Sequence, residues 1–318
     1  MILLGNELIS VIMSAYNERL DWLTESIESI LNQTYENIEF IIVLDNPENL
    51  GILKLLEQYR LKDNRIKLII NEQNLGLVKS LNIALEQCSG KYIARMDADD
   101  ISNVERLEMQ KKYLENHQLD FIFSGVQVID EENANLYQTN TQEMDAQQSK
   151  KRLEKIHISF HPTWFLKSEI FKDLKGYREI SYCEDYDFIL RCLSKNCKIG
   201  KMNGFVLQYR VRKSGISKSF SLEQFLNTKG VVKLYRKNTL EDDSLLTEIM
   251  QHSREIADDA EKKKFNAADS FYYQGVDLIK SGNTFRGVNS LTKSLFISKY
   301  YLLRNIDILK YKIENHNT

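Results

Sequence analysis

The chain has 318 residues, 42% of them hydrophobic and 28% charged, with a formal net charge of −2. It is too long for one ordinary core, which predicts one large domain with an appendage, or two domains. The near-neutral balance argues against nucleic acid as the main partner, and no apolar run approaches the roughly 20 residues that span a bilayer.

The amino terminus, Met1-Ile-Leu-Leu-Gly-Asn-Glu7, has no basic n-region and no small-residue cleavage site, so it does not read as a signal peptide and the expected location is the cytoplasm. From Leu8 to about Asp130, short β-rich runs alternate with helical ones. Strands are predicted at Leu8–Met13, Ile38–Leu44, Ile66–Ile70, Tyr92–Met96 and Phe121–Ile129. Between them, apolar residues three and four apart predict helices near Leu20–Asn32, Gly51–Tyr59, Leu75–Gln87 and Val104–Asn116. Such an alternation predicts an α/β fold with a mostly parallel sheet covered by helices on both faces. Residues 130 to about 150 are polar and aperiodic, as in a surface loop.

Mixed patterning returns from His157 to Arg212, with a strand at Thr163–Leu166, a helix near Glu184–Leu193 and a strand near Phe205–Val211. Past about Phe220 the strands stop, and helices are predicted near Glu223–Lys237, Ser244–Asp259, Lys263–Lys280, Phe285–Ser298 and Tyr300–Ile313. The predicted division is therefore an α/β domain over residues 1–219 and a helical region over residues 220–318. Only Pro47 and Pro162 interrupt the chain, each at a turn, and the four cysteines, Cys88, Cys183, Cys192 and Cys197, lack the spacing of a zinc site and suit free thiols.

Within the helical region, residues 267–283 followed by residues 286–295 are similar to one helical hairpin of a tetratricopeptide repeat. A single copy makes an appendage rather than a solenoid. Between Lys280 and Lys312 there are seven Lys or Arg residues and one acidic residue, Asp307, interleaved with Phe285, Phe296, Tyr300, Tyr301 and Tyr311. That composition fits contact with an anionic membrane surface, and it equally fits a packed helix pair with a solvated basic face.

The chemistry concentrates where Lys91-Tyr-Ile-Ala-Arg95-Met-Asp97-Ala-Asp99-Asp100 runs an apolar strand straight into three carboxylates. In an open α/β sheet, ligands settle beyond the carboxyl ends of the strands, and hard oxygen ligands there suit Mg²⁺ or Mn²⁺ bridging to a diphosphate. Asp99 or Asp100 capping the next helix is the plain alternative. The segment Asn74-Leu-Gly-Leu-Val-Lys79-Ser-Leu-Asn82 leads into it, and three further pieces accompany it: Ser10-Val-Ile-Met-Ser-Ala15-Tyr16-Asn-Glu18; Glu39-Phe-Ile-Ile-Val-Leu-Asp45; and His161-Pro-Thr with Gly176-Tyr177 and Glu184-Asp185-Tyr-Asp187.

With these pieces in this order, residues 8–212 resemble a family 2 glycosyltransferase of the GT-A fold, the nucleotide-sugar-dependent, inverting type with a Rossmann-like core. The stretch Tyr92–Asp100 followed by Arg106-Leu-x-x-Gln110 resembles the bacterial enzymes that build O-antigen, capsule and other surface polysaccharides. The resemblance implies roles. Ala15, Tyr16 and Glu18 would border the uracil and ribose, Asp45 would bond the base or ribose, and Asp97 would face the ribose. Asp99 would hold the divalent metal, Mn²⁺ or Mg²⁺, and Asp185 would be the catalytic base that takes the proton from the acceptor hydroxyl. Arg95 and Lys79 would supplement the phosphate or base contacts, with Lys79 reading better as a surface charge; His161 would line the acceptor side or be structural, and Trp164 would belong to the core.

Two departures stand out. Strand two of many relatives ends Asp-Asp-Gly-Ser, whereas here the chain reads Leu44-Asp45-Asn46-Pro47. In Gln208-Tyr-Arg-Val-Arg212-Lys-Ser-Gly-Ile-Ser217, Arg212 stands where the motif often carries a histidine; it suits a diphosphate and cannot be a metal ligand. The resemblance implies transfer of a hexose or N-acetylhexosamine from UDP-Gal, UDP-Glc or UDP-HexNAc to a lipid-linked saccharide at the inner face of the cell membrane. The competing reading is a non-catalytic nucleotide-sugar-binding protein working through its helical tail; intact Asp97, Asp99 and Asp185 count against it.

Overall fold

A computed structural model describes residues 6–212 and 221–316, with side chains only as far as residue 309 at the carboxyl end. Residues 1–5, at the start of the segment weighed as a leader, and Lys213–Ser217 of the late motif lie outside the described residues, as do the side chains of Tyr311 and Lys312. The chain forms two compact units, Met1–Glu179 with Phe188–Arg212, and Ile180–Asp187 with Lys213–Thr318.

The first unit is built on a nine-stranded sheet of order β3-β2-β1-β4-β8-β6-β9-β5, with β7 paired to β6. Strands β1 (Ile9–Ala15), β2 (Ile38–Leu44), β3 (Ile66–Ile70) and β4 (Tyr92–Arg95) are parallel neighbours. β2 is buried at all seven positions, as expected of a strand covered on both faces. Each Ile or Leu so buried contributes on the order of 1.5–3 kcal/mol. Helices α1 (Leu20–Leu31), α2 (Leu50–Lys62) and α3 (Leu77–Glu86) supply the cover, α1 through Trp22, Leu23, Ile27 and Ile30. The register sets Ala15 beside Leu44 and Ile12 beside Arg95, so three strands deliver their carboxyl ends to one edge.

The rest of the sheet adds short antiparallel pairings to this parallel core. After α4 (Arg106–Asn116), β6 (Phe121–Ile129) runs in the direction of β4, and the three-residue β8 (Phe165–Lys167) lies antiparallel between them. β9 (Ile199–Arg210) is parallel to β6, while β5 (Ile101–Ser102) and β7 (Asn135–Gln138) pair antiparallel. The sheet is therefore mixed. β5, β7 and β8, which make the antiparallel pairings, span four residues or fewer, too short to show a period of two. The region expected to be loop holds β7 and α5 (Ala146–Leu153), whose Asp145 and Gln148 form a reciprocal capping box. α6 (Ser168–Asp173) and α7 (Glu184–Ser194) follow.

The second unit is helical, with α8 (Ser221–Arg236), α9 (Asp243–Ile256), α10 (Asp259–Lys280), α11 (Thr284–Ile297) and α12 (Lys299–His316). Leu222, Ala257, Phe265, Ala268 and Tyr301 form its core. Asp242 and Asp258 cap α9 and α10 by accepting from backbone N–H groups. α10 and α11 pack tightly because glycines face each other where they meet. A Cβ on Gly287 would lie 2.5 Å from Ile279 Cγ1 and 2.8 Å from the Gly275 carbonyl.

Candidate active site

Beyond β4 the chain crosses the carboxyl edge of the sheet as Met96–Asp100, and four carboxylates meet two arginines there. Arg95 is buried and pairs with Asp97. Asp99, only 7% exposed, receives Arg212 Nε on Oδ2 at 2.6 Å; Arg212 also stands 3.9 Å from Glu18 Oε1. Asp100 is fully buried, with Oδ1 accepting from the Arg210 backbone N–H at 2.8 Å and Oδ2 lacking a hydrogen-bond partner. Burial, reinforced by the Asp97 charge, pushes the Asp99 carboxyl up to about 7 against the pull of Arg212. Burial and the Asp99 charge push Asp100 well above the carboxylate range. The pocket is under-compensated in positive charge, which is what a site for a cation and its anionic ligand requires.

β1 and β2 supply the neighbouring rim. Ala15 is buried at the end of β1, and Tyr16 beyond it is 42% exposed, its backbone N–H donating to Glu18 Oε2 at 2.7 Å. Asn17 Oδ1 accepts from both Asn46 and Asn49, so the residues standing in place of a second acidic group tie the β1 and β2 turns together. Asp45 is buried and accepts from Asn71 Nδ2 and the Leu75 N–H on Oδ1, and from the Gly76 N–H on Oδ2. It folds the loop after β3, with one acceptor position of its four left over.

The structure thus brings together Ala15, Tyr16, Glu18, Asp45, Arg95, Asp97, Asp99 and Arg212 in the first unit. Asp185 is not among them, because it stands in the first turn of α7 in a segment belonging to the second unit. Lys79 makes an exposed 3.5 Å pair with Glu179, a surface charge. Trp164 is fully buried against Phe121, His161 and Phe188. His161 is buried, bonded through Nε2 to the Tyr177 hydroxyl at 2.8 Å, and burial holds it neutral.

Two positioning groups have no role in the sequence reading. Arg106 is fully buried and donates to the Arg95 carbonyl at 2.8 Å and to Gln110 Oε1 at 2.9 Å, while Gln110 donates to the Thr163 carbonyl at 2.7 Å. The Arg106–Gln110 spacing is thus a bracket that fixes where β4 ends. Arg210 donates Nε to the Asp99 carbonyl at 2.7 Å, Nη2 to Glu25 at 2.9 Å, and Nη1 to the Asp130 carbonyl and Asn133. Its guanidinium lies 5.1 Å from the Trp22 ring centroid. A cation ending a buried strand pattern opposite three carboxylates was the available signal; its partners depend on the β5–β9 register, which no local pattern contains.

The carboxyl edge of the parallel strands, where these carboxylates and arginines cluster, is where open α/β sheets take up their ligands. The family profile of glycosyl transferase family 2 matches residues 10–175, and the chain belongs to that family. It is 43% identical over 205 residues to an uncharacterized glycosyltransferase of Methanocaldococcus jannaschii, covering 64% of this chain and 71% of that one. It is 32% identical over 238 residues to the O-antigen biosynthesis glycosyltransferase WbnJ of Escherichia coli, covering 71% and 91%. Among solved structures, the fold is similar to S. aureus TarS 1-349 in complex with UDP-GlcNAc, with a TM-score of 0.57, 18% identity and 89% and 90% coverage. It is also similar to the mannosyltransferase PcManGT from Pyrobaculum calidifontis in complex with GDP-Man and Mn²⁺, with a TM-score of 0.57, 14% identity and 91% and 87% coverage. The chain is a glycosyltransferase with relatives in polysaccharide biosynthesis.

Proposed function

We propose that this glycosyltransferase moves a hexose or N-acetylhexosamine, with inversion, from a UDP-sugar to a hydroxyl of a lipid-linked saccharide in surface polysaccharide assembly. The observation that carries the donor half is the buried Asp99 carboxylate, set among Asp97, Asp100 and Glu18 and balanced only in part by Arg212. Support for the product class comes from the O-antigen relative.

The donor set fits a small divalent cation. Among the described residues no three His, Cys, Asp or Glu side chains converge on one point. Asp99 would therefore hold it as a single hard oxygen donor, which suffices for cations that bind together with a phosphate ligand. Such a cation, when bound, draws off charge that develops on the departing nucleoside diphosphate. The protein's own groups do the rest. Ala15, Tyr16, Glu18, Asp45 and Asp97 border the nucleoside; Arg95 orients Asp97; Arg212 holds the diphosphate, where a guanidinium suits paired oxygens. Asp185 takes the acceptor proton as the oxygen attacks the anomeric carbon.

Localisation at the inner membrane face belongs to the same reading. No helix of the described residues is long and apolar enough to cross a membrane. Phe285 and Phe296, 86% and 81% exposed, with Arg286 and Lys293 on the same helix, suit surface contact.

The test is nucleoside diphosphate release across UDP-, GDP- and dTDP-sugars, with Mn²⁺ and with chelator. Release from a UDP-sugar, lost with chelator and in Asp99→Ala, is the expected result. Silence across the panel, with no nucleotide bound by calorimetry, would overturn it.

A further inference from the structure

Arg212 is placed on the one carboxylate that the proposed cation needs. Its Nε lies 2.6 Å from Asp99 Oδ2, within charge-assisted hydrogen-bond range, and its Nη2 is 3.9 Å from Glu18 Oε1. A guanidinium cannot shed its proton to make way for a metal. With Asp99 only 7% exposed, the two cations cannot both hold Oδ2 without strong mutual repulsion. Arg95, the other arginine of the pocket, is committed to Asp97, and Arg210 is committed to the Asp99 carbonyl, Glu25 and the turn after β6. Arg212, about a third exposed, is the cation at this site with room to turn.

From this we infer that Arg212 is a built-in counter-ion that makes cation binding conditional on the donor. Without a nucleotide the guanidinium occupies Asp99 and holds divalent cations off. A diphosphate offers Arg212 a doubly anionic partner, so the guanidinium leaves Asp99 for the phosphates and Oδ2 becomes free for the cation. Two ion pairs exchange partners, so Arg212 and Asp99 each keep an opposite charge beside them. Cation and nucleotide then bind as a coupled pair, each raising the affinity of the other by the same factor. The inference rests on the reading of Asp99 as the cation's ligand, and its test separates the two.

The experiment is titration of MnCl₂ into the full chain, with free Mn²⁺ read by electron paramagnetic resonance, in the absence and presence of UDP. The expected result is that Arg212→Gln binds Mn²⁺ without UDP at least fivefold more tightly than the wild type. UDP then raises Mn²⁺ affinity by a smaller factor in the variant. Arg212→Lys, which keeps the charge, stays close to the wild type, and adding Asp99→Ala to Arg212→Gln abolishes the gain. Equal Mn²⁺ affinity of wild type and Arg212→Gln without UDP would overturn the inference, as would a gain that survives Asp99→Ala. Absence of Mn²⁺ binding in every form, with UDP present, would instead overturn the cation reading itself.

Discussion

Glu39 and Asp99 are buried carboxylates at opposite ends of the same parallel strands, and the protein treats them in opposite ways. Glu39, near the start of β2, accepts from Ser10 Oγ, Lys67 Nζ, the Ser89 N–H and hydroxyl, and the Gly90 N–H. Burial raises its pKa, but these donors, led by Lys67, outweigh burial and hold the carboxyl down at about 2. Gly90 is required there, since a Cβ would come within 2.7 Å of the Ser10 nitrogen and hydroxyl. Asp99 has one side-chain cation and three nearby carboxyl groups, and rises to about 7. A saturated carboxylate closes the sheet's amino edge; an under-compensated one stands at the carboxyl edge, and on the function proposed above it is the one that meets the donor.

Substitutions at the two ends break this contrast most sharply. Asp99→Ala should lower donor turnover on the order of 10³-fold while the melting temperature holds, since burial and the neighbouring Asp97 charge disfavour the carboxylate and offset what its pair with Arg212 contributes; turnover and differential scanning calorimetry on one preparation check it. Asp185→Asn should cost about 10²–10⁴-fold in transfer with nucleotide affinity retained, the signature of a lost base. A parallel loss of UDP binding would contradict that role.

Glu39→Gln inverts the pattern. It should destabilise the fold by about 2–4 kcal/mol, because five donors lose a charged acceptor, and leave activity per folded molecule unchanged. The pH dependence follows from the same network. The folded carboxyl titrates near 2, below the ordinary value of about 4.3. Its stabilisation is therefore complete above the ordinary value and is lost as pH falls toward 2. Urea midpoints measured from pH 5 to pH 2 should fall less steeply in the variant.

Smaller effects sharpen the contrast between units. Gly287→Ala should destabilise the helical hairpin by about 1–3 kcal/mol through contact with Ile279 and the Gly275 carbonyl, with UDP affinity unchanged. Lys79→Ala, which removes one arm of an exposed 3.5 Å pair, should change stability by under about 0.5 kcal/mol and leave turnover untouched.

Much of the architecture was legible where the pattern is local. β2, β3 and β6 fall on the predicted residues because each is short and rich in β-branched and aromatic side chains. β7 leaves no apolar alternation to read because Asn135, Leu136, Tyr137 and Gln138 are all exposed. The carboxylates after β4 announced themselves by following an apolar strand. What stayed hidden was relational: Arg212 on Asp99, Arg210 beneath it, the Arg106 bracket, and the packing of Ile180–Asp187 with the second unit. Each depends on segments tens of residues apart meeting at a register that no window of sequence contains.

The most direct test of the account is calorimetric titration of UDP into wild type and Asp99→Asn, each with Mn²⁺ and with chelator. The account predicts binding by the wild type that strengthens with Mn²⁺, and loss of that strengthening in a variant that remains folded. Identical Mn²⁺-dependent binding by both proteins would contradict the assignment of the carboxyl edge as the donor site.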